Sequence, residues 1–178
     1  MSTWGSAAQA RESVGGGAPA GSGDPAAAVG DVVRAPLPGR VVPVQEVPDP
    51  VFAQGMVGPG VAVDPDREPL TVVAPLSGRL VKVQPHAVIV LAPSGHGVLV
   101  HLGIDTVHLR GEGFEVLVAQ GDEVAEGDPL IRWDPAAVEA GGRSPVCPVV
   151  ALDAREGAVG ELAAPGPVGV GEPLFTWR

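Results

Sequence analysis

The chain has 178 residues with 26 Gly, 20 Pro and a formal net charge of −10, room for one domain with its own core. That charge, with Lys82 as the single lysine, argues against nucleic acid or an anionic membrane as a partner. One cysteine, Cys147, leaves no internal disulfide framework, and no apolar run approaches a membrane span, so a cytoplasmic protein without direct membrane insertion is expected.

Residues 1–29 are Gly, Ala, Ser and Pro with almost nothing to bury, which predicts a disordered tail ahead of a folded domain over residues 30–178. From there on, glycine and proline punctuate short Val- and Leu-rich runs, the pattern of an all-β fold: an antiparallel β-sandwich with at most one or two short helices. Ala35-Pro36-Leu37-Pro38-Gly39-Arg40-Val41-Val42 returns as Ala74-Pro75-Leu76-Ser77-Gly78-Arg79-Leu80-Val81, a turn followed by an extended segment. Val124-Ala125-Glu126-Gly127-Asp128-Pro129-Leu130-Ile131-Arg132-Trp133 is echoed by Val168-Gly169-Val170-Gly171-Glu172-Pro173-Leu174-Phe175-Thr176-Trp177. Two pseudo-equivalent halves facing each other, a barrel-sandwich hybrid, would account for both echoes. A short helix is predicted after Asp134, which can cap it, with Pro135 at its first position and Gly141-Gly142 ending it.

Two β-branched runs, His86-Ala87-Val88-Ile89-Val90-Leu91 and His96-Gly97-Val98-Leu99-Val100-His101, flank Ala92-Pro93-Ser94-Gly95 and read as a hairpin. With residues 92–95 as the loop, paired numbers sum to 187, so His86 faces His101, and Val88 and Leu99 form an apolar apron on the same face. Two apposed imidazoles admit several chemistries. One ring can act as a nucleophile while the other donates to phosphoryl oxygens; both can hold zinc if Asp49 or Asp105 and a water complete the shell; or both are ordinary half-buried sheet residues. No G-x-x-x-x-G-K-[ST] loop is present, so a phosphoryl group is expected from another protein rather than from ATP. His96 and His108 read as exposed surface residues, and Cys147, in an apolar stretch, as a buried structural thiol.

Val100-His101-Leu102-Gly103-Ile104-Asp105-Thr106-Val107, followed by Leu109-Arg110-Gly111-Glu112-Gly113-Phe114, resembles the active-site signature of the glucose-family enzyme IIA domain of the bacterial phosphoenolpyruvate-dependent sugar phosphotransferase system. The likeness runs from about Val32 to Arg178. It implies that His101 is phosphorylated and that His86, in its His-Ala context, supports the phosphoryl group. Pro48-Asp49-Pro50-Val51-Phe52-Ala53 is similar to the family's acidic element, which implies docking or orienting roles for Asp49, Val51 and Phe52 beside Val88, Leu99 and Asp105. The implied protein is a phosphotransferase component with a phosphohistidine intermediate. Its donor would be the histidine-containing phosphocarrier protein and its acceptor the enzyme IIB/IIC sugar permease. No cofactor is required, with zinc at His86 and His101 left open. Where the family has Thr two places before the supporting histidine, this chain has Gln84, and aliphatic Leu99 and Leu102 stand at positions that are often aromatic.

Three other readings fit parts of the sequence. The Gly121-Asp122-Glu123-Val124 and Gly127-Asp128-Pro129-Leu130 turns are similar to those of biotinyl and lipoyl domains, whose carrier lysine is exposed at a turn, whereas Lys82 lies in a strand-like run. A zinc endopeptidase on a related sandwich would need an H-x-H pattern, which is missing. A regulatory docking module of the same fold, binding transporters or kinases without phosphoryl turnover, shares every feature of the docking face.

Overall fold

The computed structural model describes residues 30–178, so the predicted tail over residues 1–29 lies outside the described residues. Fourteen strands are formed among them: β1 (Asp31–Arg34), β2 (Gly39–Pro43), β3 (Gly60–Pro65), β4 (Leu70–Val73), β5 (Gly78–Gln84), β6 (Ala87–Leu91), β7 (Gly97–His101), β8 (Phe114–Val116), β9 (Glu123–Val124), β10 (Pro129–Trp133), β11 (Cys147–Leu152), β12 (Val159–Gly160), β13 (Gly166–Val168) and β14 (Pro173–Trp177). Two short α-helices interrupt them, α1 (Pro50–Ala53) and α2 (Pro135–Ala140). At α2 the Asp134 carboxylate accepts from the N–H groups of Ala136 (3.0 Å) and Ala137 (3.3 Å), the cap that the sequence predicts. No helix among the described residues is long and apolar enough to cross a membrane.

An eight-stranded sheet in the order β13-β2-β3-β11-β7-β6-β5-β9 packs against two three-stranded sheets, β1-β14-β12 and β4-β10-β8, and every pairing is antiparallel. The large sheet is a palindrome about its central β11/β7 pair, because β13, β2 and β3 on one side correspond to β9, β5 and β6 on the other. Repeated residues make repeated bonds: Ala35 N–H donates to the Glu172 carbonyl (2.8 Å) as Ala74 N–H does to that of Asp128 (2.9 Å). The halves also clasp each other, Arg34 N–H to the Pro75 carbonyl and Val73 N–H to that of Pro36, both 2.9 Å. The two sequence echoes are therefore the two halves of one sandwich, as expected.

The main core lies between the sheets, with Val33, Val72, Leu80, Val88, Val98, Val100, Leu130, Leu174 and Phe175 almost wholly buried. A second cluster covers the outer face of the large sheet where α1 crosses it: Val44, Val47, Phe52, Ala62, Ala87, Ile89, Leu99, Ile104 and Val150. The central strands are thus buried on both faces, which explains why β6 and β7 read as continuous apolar runs instead of alternating ones.

The hairpin register departs from expectation by one residue. Gly95 takes φ +94°, a left-handed backbone that favours glycine; its N–H donates to the Ala92 carbonyl, and Ala92 N–H in turn donates to that of His96, both 2.9 Å. The loop therefore closes on Ala92 and His96 around residues 93–95, and the ladder pairs Ala87 with His101, Val88 with Val100 and Ile89 with Leu99. A slip of one residue exchanges faces. Val88 consequently points into the main core, not the histidine face, and the expected Val88/Leu99 apron does not exist. Leu99 keeps the histidine face but is fully buried in the second cluster, a support rather than a contact surface.

If Leu99 is a buried support, Leu99→Ala should lower stability by about 2–5 kcal/mol in denaturant unfolding, as large-to-small core changes do. A variant as stable as the parent would place Leu99 on the surface instead.

Candidate active site

His101 ends β7 on the face beneath α1 and is 7% exposed. The chain must then turn sharply, and Gly103 permits it: at φ +75° an added Cβ would lie 2.7 Å from Thr106 Cγ2 and 3.0 Å from the Ser144 carbonyl oxygen. Thr106 Oγ1 donates to the Leu102 carbonyl (2.6 Å) and Ile104 N–H to that of Ser144 (2.8 Å), locking the turn from both sides. The result aims the Gly103 carbonyl at the imidazole, whose Nδ1 lies 2.6 Å away. A carbonyl only accepts, so Nδ1 carries the proton and Nε2 carries the lone pair. The histidine, the glycine and the threonine of the motif thus act as one unit.

His86 reaches the same place by an unexpected route. It does not lie opposite His101 in the ladder but occupies, with Pro85, the two-residue turn between β5 and β6, where Gln84 pairs with Ala87. Leu102 N–H donates to the His86 carbonyl (2.7 Å), tying that turn to the end of β7. The two imidazole centroids are 5.2 Å apart with planes at 73°. The proximity predicted from the sequence holds although the register that predicted it does not. Gln84 forms no hydrogen bond to the His86 ring among the described residues.

Asp49 caps α1 by accepting from Val51 N–H (2.8 Å), with Pro50 at the first helical position. This short helix brings Phe52 against His101 at 5.2 Å between centroids, edge to face. The carboxylates of Asp49 and Asp105 act electrostatically on the His101 ring. Asp105 itself is exposed, at φ +59°. Exposed Val51 stands on α1; Met56, just after α1, and Val107, the last residue of the Val100 to Val107 motif, are also exposed, and sequence reasoning gave neither a role. Their signal was weak, since a single apolar residue in a polar loop is ordinary.

Burial dominates the electrostatics of both rings. It pulls His86 down from 6.5 to about 4, helped by His101 and Lys82. It also lowers His101, against the opposing pull of the Gly103 carbonyl, Asp49 and Asp105. Both rings are then neutral at pH 7, the state in which one can attack and the other can donate. Burial likewise raises the Cys147 thiol far above its usual value, which fits the inert structural role expected for it. Among the described residues no three His, Cys, Asp or Glu side chains are arranged to hold a metal.

The other histidines divide. His108 is exposed as expected. His96 is not: it stacks on Trp177 at 4.2 Å and its Nδ1 lies 2.7 Å from Asp31 Oδ2, tying the hairpin loop to β1 and β14.

Fold and site together define an all-β protein built around one buried imidazole oriented by a backbone carbonyl. The family model of the phosphoenolpyruvate-dependent sugar phosphotransferase system, EIIA 1, matches residues 31–156. The glucose-specific EIIA component of Staphylococcus aureus is 43% identical over 128 residues, 71% of this chain and 76% of that protein. That of Halalkalibacterium halodurans is 42% identical over 144 residues, 80% and 82% respectively. The glucose-specific EIIBCA component of Corynebacterium glutamicum is 43% identical over 136 residues, 74% of this chain and 20% of that protein. The glucose permease IIA from Mycoplasma capricolum superimposes with a TM-score of 0.74 at 35% identity, covering 81% of this chain and 93% of that one. The chain belongs to the enzyme IIA family of the sugar phosphotransferase system and is a phosphotransferase component of it.

The low proton affinity of His86 has a thermodynamic consequence. An unfolded histidine binds protons between about pH 6.5 and 4 while folded His86 does not, so stability should fall on acidification across that window. Unfolding measured at pH 7 and pH 5 should show this loss, and His86→Ala should reduce it; an equal loss in both proteins would contradict the assignment.

Proposed function

We propose that His101 carries the phosphoryl group, taking it from a histidine-containing phosphocarrier protein and passing it to an enzyme IIB domain of a sugar permease in the cytoplasm. The observation that carries this reading is the 2.6 Å contact of Nδ1 with the Gly103 carbonyl, which presents Nε2 as the nucleophile. In the transfer, the Nε2 lone pair forms a bond to phosphorus as the bond between phosphorus and the donor's nitrogen breaks, and that nitrogen keeps the electron pair. The proton stays on Nδ1, still donated to the Gly103 carbonyl, which stabilises the positive charge that develops on the ring. His86, neutral at pH 7, donates its ring N–H to a phosphoryl oxygen. Positioning and electrostatics do the work, as is usual for phosphoryl transfer. The Corynebacterium relative, whose name joins B, C and A components in one chain, supports a permease domain as the acceptor.

The scheme asks for no cofactor. The exposed Val51, Met56 and Val107 would supply the apolar contact with both protein partners.

Incubation with phosphoenolpyruvate and the general phosphotransferase proteins should give an acid-labile, base-stable phosphate on the parent chain and none on His101→Ala; label on that variant would overturn the assignment. His86→Ala should still accept phosphate but pass it to an enzyme IIB domain on the order of 100-fold more slowly, the effect of losing one donor to a transferring group. Undiminished transfer would remove His86 from the mechanism.

A further inference from the structure

The single lysine of this acidic chain is placed at the active face by an irregularity in β5. In the β5/β6 ladder Arg79 pairs with Leu91 and Leu80 with Val90, but the next pairs are Lys82 with Ile89, Val83 with Val88 and Gln84 with Ala87. Val81 is the extra residue of a β-bulge. Leu80 is fully buried in the main core, so a regular strand would send Lys82, two residues on, into that core as well. The bulge reverses the alternation. Lys82 then lies across from Ile89, which lies across from Leu99, and the neighbouring row is Gln84, Ala87 and His101. Both rows belong to the histidine face, with strands about 4.8 Å apart and a flexible four-carbon stem on the lysine to cross them.

Among the groups that act on the His101 ring are the carboxylates of Asp49 and Asp105, which disfavour a phosphoryl dianion there. A cation on the same face would offset them. The Lys82 charge already registers at His86, one of the causes that lower its proton affinity.

We propose that Lys82, turned onto the histidine face by the Val81 bulge, is a phosphoryl-binding residue: its ammonium donates a charge-assisted hydrogen bond to an oxygen of the phosphoryl group on His101, beside His86. The ammonium keeps its proton throughout, and its role is to hold charge that Asp49 and Asp105 repel. This inference rests on His101 being the phosphorylated residue, and the test separates the two claims.

The test uses the full chain with Lys82→Met and Lys82→Arg, and His101→Ala alongside. Initial rates of phosphoryl acceptance are measured over a range of donor concentrations, and the lifetime of the phosphorylated protein is measured after the donor is removed. Thermal unfolding checks that each variant folds. Lys82→Met should lower kcat for acceptance about ten- to a hundredfold, the span of one charge-assisted hydrogen bond, with KM for the donor little changed, and should shorten the lifetime of the phosphohistidine. Lys82→Arg, which keeps the charge, should recover most of the rate. An unchanged kcat and lifetime in Lys82→Met would overturn the proposal. So would a raised KM alone, which would place the lysine against the partner protein, and so would equal losses in both substitutions. If His101→Ala accepts label, it is the underlying assignment of His101 that fails; if it does not and Lys82→Met behaves as the parent, only the role of Lys82 falls.

Discussion

The hydrogen bond from His101 Nδ1 to the Gly103 carbonyl is the contact on which the site depends. A free imidazole exchanges its proton between two nitrogens and rotates about two bonds; this one has a single tautomer and a single direction. The carbonyl can be aimed only because residue 103 has no side chain in a left-handed turn, and the turn holds because Thr106 and Ser144 satisfy its neighbouring backbone groups. Cys147, buried beside the same turn, belongs to this supporting structure and not to the chemistry.

The sandwich serves this bond by making its surroundings dry. The large sheet has a core on each face, and the smaller one, capped by α1, lies directly under the histidines. Burial keeps both rings neutral, while the Gly103 carbonyl, Asp49 and Asp105 oppose its pull at His101. Apolar support and carboxylates therefore pull in opposite directions on one ring, and the balance leaves Nε2 with a lone pair that is available but not protonated.

Much of the architecture was legible because it rests on short-range rules. The echo of residues 35–42 in 74–81 marks pseudo-equivalent turns that make the same bonds, and Asp134, Pro135 and Gly141 delimit α2 by capping alone. Register was not legible to the residue. Whether the loop holds three or four residues depends on the left-handed conformation of Gly95, and that one choice decided that Val88 faces the core. The bulge at Val81 was hidden for the same reason, since an apolar residue beside a lysine in a strand carries no mark of which face either takes. His86 was found beside His101 by an argument with the wrong register, because a turn residue at the end of a hairpin reaches the same corner as one paired in the ladder. The role of Gly103 was invisible without coordinates, since any residue's carbonyl accepts a hydrogen bond and only the turn shows which one the ring meets.

The central claim is that the fold, by holding the proton on Nδ1, makes Nε2 the phosphoryl acceptor. Nitrogen-15 and phosphorus-31 magnetic resonance of the chain labelled in its histidines, recorded before and after phosphorylation, reports the claim directly. The account predicts a neutral His101 ring protonated on Nδ1 beforehand and phosphorus coupled to Nε2 afterwards. Phosphorus on Nδ1, or a ring protonated on Nε2 in the resting protein at neutral pH, would contradict it.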